Sequence, residues 1–301
     1  MANKIVLALG GGGVKGIAHL GVVACLLEND YEIDGIAGTS AGGMFGAPLA
    51  AQYSPLEIYR RVVDFMKNPD LRRIAGDTPS LAGTHGLEMA LAPLIQGKLI
   101  EELPIKFVAT AAKLKTGEEV LLNSGKVMSA VLATIAIPGV FPARGEDELV
   151  DGGVVDPVPV VPARALDPSL PIVAVALNRK DPDAPEDDQM LGESNPLTDL
   201  IVGRLSKTVL GESLDIGSRG MGLWGNSLTE LSLETSKPDV IVRPLVGHHS
   251  ALSNVDPQEL FDEGYRAMES QLKALEEANS LFNSLIRIAK YSTVHQTGNK
   301  K

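Results

Sequence analysis

The chain has 301 residues, of which 44% are hydrophobic and 22% charged, so it is long enough to enclose one large core or two small ones. Its formal net charge of -11 argues against nucleic acid as the main partner and against electrostatic docking on anionic lipid, but leaves uncharged and zwitterionic substrates open. Cys25 is the only cysteine, which excludes an intramolecular disulfide and any cysteine-based metal site.

The first fifty residues alternate between strand and helix patterns. An apolar run from Lys4 to Leu9 ends in four glycines, as a buried strand does where it enters a turn. Apolar residues at helical spacing predict a helix over about 15–28, and "YEIDGIAG" predicts a second strand before a helix over 41–52. This order predicts an α/β fold with three layers, in which a largely parallel sheet lies between helices.

The same periodicities predict the later elements. Residues 87–95 place apolar side chains on one side of a helix, which is either a core helix or a lid or lipid-facing element over a pocket. Further strands are expected at about 105–111, 120–123, 171–178 and 237–246, with a helix at 126–135, two helices flanking 217–226, and a long helix from an Asp256 N-cap to about Lys290.

The chain shows neither an internal repeat nor a shift in composition, so we predict a single domain over 1–291 and a disordered tail at 292–301. Within the domain, the acidic and proline-rich segment 181–196 is expected to be a solvated, mobile loop. The N-terminus is typical of a first strand rather than of a secretory signal, and the longest nearly apolar stretch, 130–143, is too short to span a bilayer. We therefore expect a cytoplasmic protein.

A glycine-rich segment follows the first predicted strand. "GGGGVKG", from Gly10 to Gly16, contains Gly-x-Gly-x-x-Gly, and such a turn lets backbone N–H groups face an anion at the start of a helix. The anion is either a dinucleotide pyrophosphate or the oxyanion of a reaction intermediate. A dinucleotide site needs an acidic residue at the end of the second strand, whereas Asp34 lies at its start, so the pattern favours the oxyanion hypothesis.

Two further motifs add a nucleophile and a carboxylate. "GTSAG" places Ser40 between Gly38 and Gly42 where a strand gives way to a helix, the frame of a serine nucleophile on a sharp turn. "LVDGG" places Asp151 after an apolar strand; alone it is as readily an ordinary turn. Asp151 becomes a candidate because it is the one carboxylate flanked in this way in a chain that also has a serine turn and a glycine loop.

The five histidines leave the choice of base open. His248 and His249 follow the last predicted strand and are eligible for a Ser-Asp-His triad, while His19 is expected to be a packed or capping side chain. No His, Asp and Glu spacing resembles a metal site, so neither a metal nor another cofactor is expected.

Taken together, "GGGGVKGIAHLGV", "GTSAGG" and "LVDGG" resemble the patatin-like phospholipases, most closely the bacterial cytoplasmic branch related to the catalytic domain of neuropathy target esterase. "IPGVFPA", "KPDVIVRPLVG" and "ELFDEGYRA" extend the resemblance to about residue 270. It implies a Ser-Asp dyad without histidine, with Ser40 as nucleophile and Asp151 as base. It also implies an oxyanion hole from Gly11, Gly12 and Gly13, with Lys15 where the family often has arginine, and motif glycines at Gly16, Gly38, Gly42, Gly152 and Gly153.

The expected activity is hydrolysis of carboxylic esters of acyl lipids, such as phospholipids or lysophospholipids, through an acyl-enzyme. Asp156 stands where the family commonly has asparagine. Its charge either alters the pKa of Asp151 or the substrate preference, or the residue is a solvated turn residue. The rivals are an esterase with a full triad, a non-catalytic lipid-binding or regulatory protein, and a nucleotide-binding protein. Transient contact with a membrane surface stays open, as does the oligomeric state.

Overall fold

The computed structural model describes residues 3–67, 84–178, 209–249 and 255–280, together with Arg287. Within these ranges the strands are β1 Asn3–Leu9, β2 Tyr31–Thr39, β3 Lys106–Lys113, β4 Glu119–Leu122, β5 Leu149–Asp151, β6 Ile172–Val175 and β7 Val240–Val242. The helices are α1 Ile17–Glu28, α2 Ala41–Ala50, α3 Pro55–Lys67, α4 His85–Ile95, α5 Val127–Thr134, α6 Val160–Leu166, α7 Val209–Ser236, α8 Pro257–Glu269 and α9 Leu272–Ala278.

The strands form one mixed sheet that is mostly parallel. Its order is β4-β3-β2-β1-β6-β7, and the five strands β3, β2, β1, β6 and β7 are parallel to one another. β4 and β5 both pair with β3 in the antiparallel direction. Because β1, β2 and β3 are parallel neighbours, the turns that follow β1 and β2 meet at one edge of the sheet, which is where ligands bind in such folds.

Helices cover both faces of the sheet, as predicted. Alternate residues of β1 point to opposite sides: Ile5, Leu7 and Leu9 join the core formed with α1 to α5, α8 and α9, while Val6 and Ala8 join the core formed with α6 and α7. Every one of these five side chains is fully buried. The predicted three-layer α/β fold is therefore confirmed.

The contact between α1 and α8 depends on two glycines that the sequence analysis did not single out. A methyl group on Gly21 would lie 1.9 Å from the Phe261 carbonyl oxygen, and one on Gly264 would lie 1.9 Å from the Ala18 carbonyl oxygen. The two backbones thus approach more closely than any larger residue allows. This contact ties the C-terminal part of the chain to the first helix.

Two predicted helix boundaries are wrong. One continuous helix, α7, runs through 217–226, although this segment holds four glycines, each of which weakens a helix by about 1 kcal/mol without ending it. The predicted long C-terminal helix ends at Glu269 and a new helix begins at Leu272. At the break the Ser270 hydroxyl donates to the Ala267 carbonyl, an alternative to continuing the helix.

Other predictions fall outside the described residues or agree with them. The Asp256 N-cap is confirmed, since its carboxylate accepts a hydrogen bond from the Gln258 N–H at 2.9 Å. The segments predicted as a mobile loop at 181–196 and as a tail at 292–301 lie outside the described residues. Within the described part of the chain, no helix combines the length and the hydropathy needed to cross a bilayer.

Candidate active site

Ser40 occupies a strained turn between β2 and α2. Its backbone has φ 54° and ψ -121°, a combination that a residue with a side chain rarely adopts. The flanking glycines make the turn possible: a methyl group on Gly42 would lie 1.9 Å from the Leu9 carbonyl oxygen, and one on Gly38 would lie 2.5 Å from the backbone of Gly42. The structure therefore places Ser40 on the sharp strand-to-helix turn that the sequence predicts.

Asp151 reaches Ser40 through the neighbouring strand. β5 pairs with β3 so that Asp151 lies opposite Ala111, and β3 is the strand beside β2. The side chain is buried, and its carboxylate accepts a hydrogen bond from the Gly153 N–H at 2.8 Å. Burial raises the pKa of Asp151 from 3.8 to about 6, against the smaller lowering effects of the Ser40 hydroxyl and the Gly153 N–H.

The glycine loop lies directly beside the serine. A methyl group on Gly11 would lie 3.2 Å from Ser40 Cβ and 3.9 Å from Ser40 Oγ. The Gly11 N–H donates to the Pro157 carbonyl at 3.0 Å, so this donor is already engaged. Gly12 and Gly13 stand at the start of a 3-10 turn, Gly13–Gly16, where backbone N–H groups have no partner within the turn. Gly13 has φ 60°, which favours glycine.

Lys15 and His19 support this loop from within the protein. Lys15 lies in the 3-10 turn, and burial lowers its pKa from 10.5 to about 8. His19 is fully buried on α1, with Nε2 2.8 Å from the Gly10 carbonyl oxygen. A carbonyl can only accept, so Nε2 carries the proton and donates. Burial lowers the pKa of His19 to about 4, which keeps it neutral, in keeping with the predicted packed or capping role.

Three threonines that the sequence analysis missed hold the site together. The Ser40 N–H donates to the Thr134 hydroxyl at 2.9 Å. The Thr39 hydroxyl donates to the Asp156 carbonyl at 2.8 Å and lies 2.6 Å from the Thr110 hydroxyl on β3. All three threonines are fully buried, so these bonds fix the serine turn to the segment that follows Asp151. Thr110 on a strand and Thr134 at the end of a helix carry no local pattern, and the serine motif around Thr39 does not indicate the partners of its hydroxyl.

Asp156 is not a solvated turn residue. Its side chain is half-buried and faces Glu119, and the Ser232 hydroxyl on α7 lies 3.3 Å from its carboxylate. Burial, with a smaller contribution from Glu119, raises the pKa of Asp156 from 3.8 to about 7. The pKa of Asp151 is set by burial, Ser40 and Gly153, and not by Asp156.

The other sequence candidates lie elsewhere. His248 and His249 face Glu259 rather than Asp151, with His249 Nε2 4.0 Å from the Glu259 carboxylate. Asp34 forms ion pairs with Lys4 at 3.2 Å and Lys106 at 2.7 Å at the start of β2. The position of the two histidines counts against a histidine triad, and the ion pairs of Asp34 count against a dinucleotide site at the glycine loop.

A cavity of about 420 Å³ opens beside Ser40 and Gly13. Its walls come from α2, α3 and α4, from the segment around Ile135–Phe141, and from residues 255–257. Apolar side chains dominate them, including Met44, Phe45, Ile58, Met66, Leu91 and Leu94. The helix predicted as either a core helix or a lid packs into the core, where Leu91 and Leu94 are buried, and these two side chains also line the cavity.

Comparison with known proteins agrees with this geometry. A profile described as patatin-like phospholipase matches residues 7–164, just over half of the chain. Proteins of Mycobacterium bovis and Mycobacterium tuberculosis, named as uncharacterized NTE family proteins, are 36% identical over 180 residues, which cover 58% of this chain and 49% of theirs. Lysophospholipase NTE1 of Saccharomyces cerevisiae is 30% identical over 170 residues, 54% of this chain and 10% of its own.

Among solved structures, VipD from Legionella pneumophila aligns with 91% of this chain and 67% of its own, at a TM-score of 0.47 and 14% identity. The match to the mycobacterial relatives spans about half of their length. The profile match covers all three motifs, from the glycine loop through Ser40 to Asp151. On that match, the chain belongs to the patatin-like phospholipase family.

Proposed function

We propose that the protein is a serine lipid acyl hydrolase that cleaves carboxylic esters through a dyad of Ser40 and Asp151. One observation carries the proposal: a serine in a strained turn meets a buried aspartate whose pKa is raised to about 6. A serine hydroxyl is a weak nucleophile until a base accepts its proton, and a carboxylate is a stronger base when burial raises its pKa. Asp151 offers Ser40 such a base, and the two residues lie beside a glycine loop and an apolar cavity.

The dyad performs both halves of the reaction. Ser40 Oγ attacks the ester carbonyl carbon, and its proton passes to the Asp151 carboxylate. The tetrahedral intermediate then collapses, the alcohol leaves with the proton from Asp151, and the acyl group stays on Oγ. A water molecule next gives a proton to Asp151 and attacks the acyl-enzyme. The fatty acid is released, and Ser40 recovers its proton from Asp151.

Backbone donors of the glycine loop stabilise the intermediate. The N–H groups of Gly12 and Gly13 are the proposed oxyanion donors, since the Gly11 N–H is bonded to Pro157. The role of Gly11 is to let the loop approach Ser40, because a side chain there would crowd Ser40 Cβ. Loss of one such donor is expected to lower turnover by about 10²–10³-fold. Lys15, with a pKa near 8, is mostly protonated at pH 7 and adds positive charge beside the loop.

The cavity supports an acyl lipid as the substrate. The methionine, phenylalanine, isoleucine and leucine side chains of the wall offer no hydrogen bond or charge to a polar ligand. They do exclude water around a bound fatty acyl chain. Ser40 lies at this cavity, so the bound chain would present its ester carbonyl to Oγ. The name of the yeast relative, a lysophospholipase, favours a phospholipid or lysophospholipid as the substrate class.

Labelling with a fluorophosphonate probe, measured by intact mass, tests the dyad. We expect one adduct on the wild type, none on Ser40→Ala and slow labelling of Asp151→Asn. A double variant with His248→Ala and His249→Ala should label as fast as the wild type. Loss of labelling in the histidine variant would contradict the dyad and favour a Ser-Asp-His triad.

Hydrolysis of lysophospholipid by the wild type and Ser40→Ala then tests the reaction itself. Release of fatty acid by the wild type alone supports the proposal. A wild type that neither labels nor hydrolyses lipid, while still binding fatty acid in the cavity, would show a lipid-binding protein instead.

A further inference from the structure

We propose that His248, His249 and Glu259 form a binding site for a divalent transition-metal ion of the zinc class. Their ligand atoms, two imidazole nitrogens and a carboxylate oxygen, all lie within 4.8 Å of one another. Sequence spacing does not reveal this cluster, since Glu259 is separated from the histidines by the start of α8. The proposal is independent of the ester hydrolysis proposed above.

The separation of the side chains suits a bridging ion better than a direct contact. His249 Nε2 and the Glu259 carboxylate oxygen are 4.0 Å apart, beyond hydrogen-bonding distance. Zinc binds imidazole nitrogen and carboxylate oxygen at about 2.0–2.2 Å each, and tetrahedral coordination brings such a pair to about 3.3–3.6 Å, so the two side chains would move about half an ångström together around one ion. The ring centres of His248 and His249 are 3.9 Å apart, and a nitrogen of each ring lies within 4.8 Å of the other ligand atoms.

The chemistry of the three groups selects the class of ion. Imidazole suits zinc, copper and nickel, whereas magnesium and calcium prefer sites built from oxygen ligands. Two histidines and one glutamate also form the set of three protein ligands that zinc sites use when a further position is left for water. A site with two nitrogen donors is therefore expected to prefer zinc to magnesium or calcium.

The backbone holds the two halves of the site in place before any ion binds. The histidines follow β7 in a turn in which the His249 N–H donates to the Val246 carbonyl at 3.2 Å. Glu259 lies in the first turn of α8, a helix fixed against α1 through Gly264. An ion at this position would tie the turn after β7 to α8. Asp256 and Pro257, at the start of α8, line the cavity beside Ser40, so the ion would also stiffen one wall of that cavity.

Calorimetric titration of the full chain, without a polyhistidine tag and stripped by a chelator, tests the site. We expect one zinc ion per chain, little heat with magnesium or calcium, and a zinc-dependent rise in melting temperature. The double variant His248→Ala/His249→Ala and the single variant Glu259→Gln should each weaken zinc binding about 10-fold or more. The control His85→Ala, which removes a histidine on α4, should leave zinc binding unchanged.

Each outcome decides the proposal. Absence of zinc binding by the wild type, or equal binding by the double histidine variant, would overturn it, and so would equal affinity for calcium. Circular dichroism of the variants separates loss of the site from loss of the fold. If the histidine variant is misfolded, Glu259→Gln decides: unchanged zinc affinity would remove the carboxylate from the site and overturn the proposal.

Discussion

Replacing Asp151 by asparagine is expected to stabilise the folded protein at neutral pH while it removes the proposed base. Burial holds the pKa of this carboxyl near 6, against 3.8 in an unperturbed group. At about 1.4 kcal/mol for each tenfold change in acidity, ionised Asp151 costs the folded state about 3 kcal/mol. Asparagine carries no charge and can still accept the hydrogen bond from the Gly153 N–H, so most of this cost should disappear.

The dependence on pH gives the prediction its sign. Below pH 3.8 the carboxyl is protonated in both states, and the substitution should change stability little. Between pH 3.8 and about 6 the unfolded chain loses the proton while the folded chain retains it, so the penalty grows and is complete above pH 6. The gain from Asp151→Asn should therefore be largest at pH 7–8, as a rise of several degrees in melting temperature, and should nearly vanish at pH 4.

Thermal and urea unfolding of the wild type and the variant at pH 4 and pH 8 measure this difference. Asp34→Asn is the matched control, because burial raises the pKa of Asp34 but hydrogen bonds from Lys106 and Lys4 lower it more, to below its usual value. Its substitution should destabilise the protein at pH 8. If Asp151→Asn were no more stable than the wild type at pH 8, or gained as much stability at pH 4, ionised Asp151 would not be the source of the penalty.

Three further predictions follow from the site. In a steady-state esterase assay, kcat/KM should rise with pH and level off above about pH 6, as Asp151 becomes the ionised base; a profile that is flat from pH 5 to 8 would contradict this. Gly42→Ala should strongly destabilise the protein, since its methyl group would lie 1.9 Å from the Leu9 carbonyl oxygen, whereas Gly222→Ala, in open space on α7, should stabilise it by up to about 1 kcal/mol in urea unfolding. Leu94→Trp, which fills part of the cavity, should lower kcat/KM for long-chain esters more than for short ones, and an equal loss for both would count against the cavity as the acyl site.

The sequence predicted the parts of the site that follow from local geometry. A serine between glycines after an apolar run indicates a tight turn, and this pattern can be recognised from neighbouring residues alone. The glycine loop likewise carries a local signature, whereas the segment around Asp151 alone is as readily an ordinary turn. The order of parallel strands brings the glycine loop and Ser40 to one edge of the sheet, whereas Asp151 comes from the antiparallel β5 and was expected beside Ser40 only from the family resemblance.

The missed features depend on contacts between distant residues. The Thr110 hydroxyl on β3 reaches Thr39 on β2, and the Thr134 hydroxyl at the end of α5 reaches the Ser40 N–H. Nothing within a few residues of Thr110 or Thr134 indicates these contacts. The hydrogen bond from the Gly11 N–H to the Pro157 carbonyl also joins residues that are far apart in the sequence. It occupies one of the three predicted oxyanion donors and leaves two, the N–H groups of Gly12 and Gly13. The break after α8 was missed because the apolar spacing continues through it, although Ser270 bonds back to Ala267.

Two local costs at the site bear on the choice between an enzyme and a binding protein. Ser40 holds a backbone conformation that costs about 1–3 kcal/mol, and ionised Asp151 costs about as much again. Binding an acyl chain requires neither, since the apolar cavity alone would suffice. A strained serine and a destabilised carboxylate are useful together only if a proton moves between them, and that coincidence is what favours hydrolysis over binding.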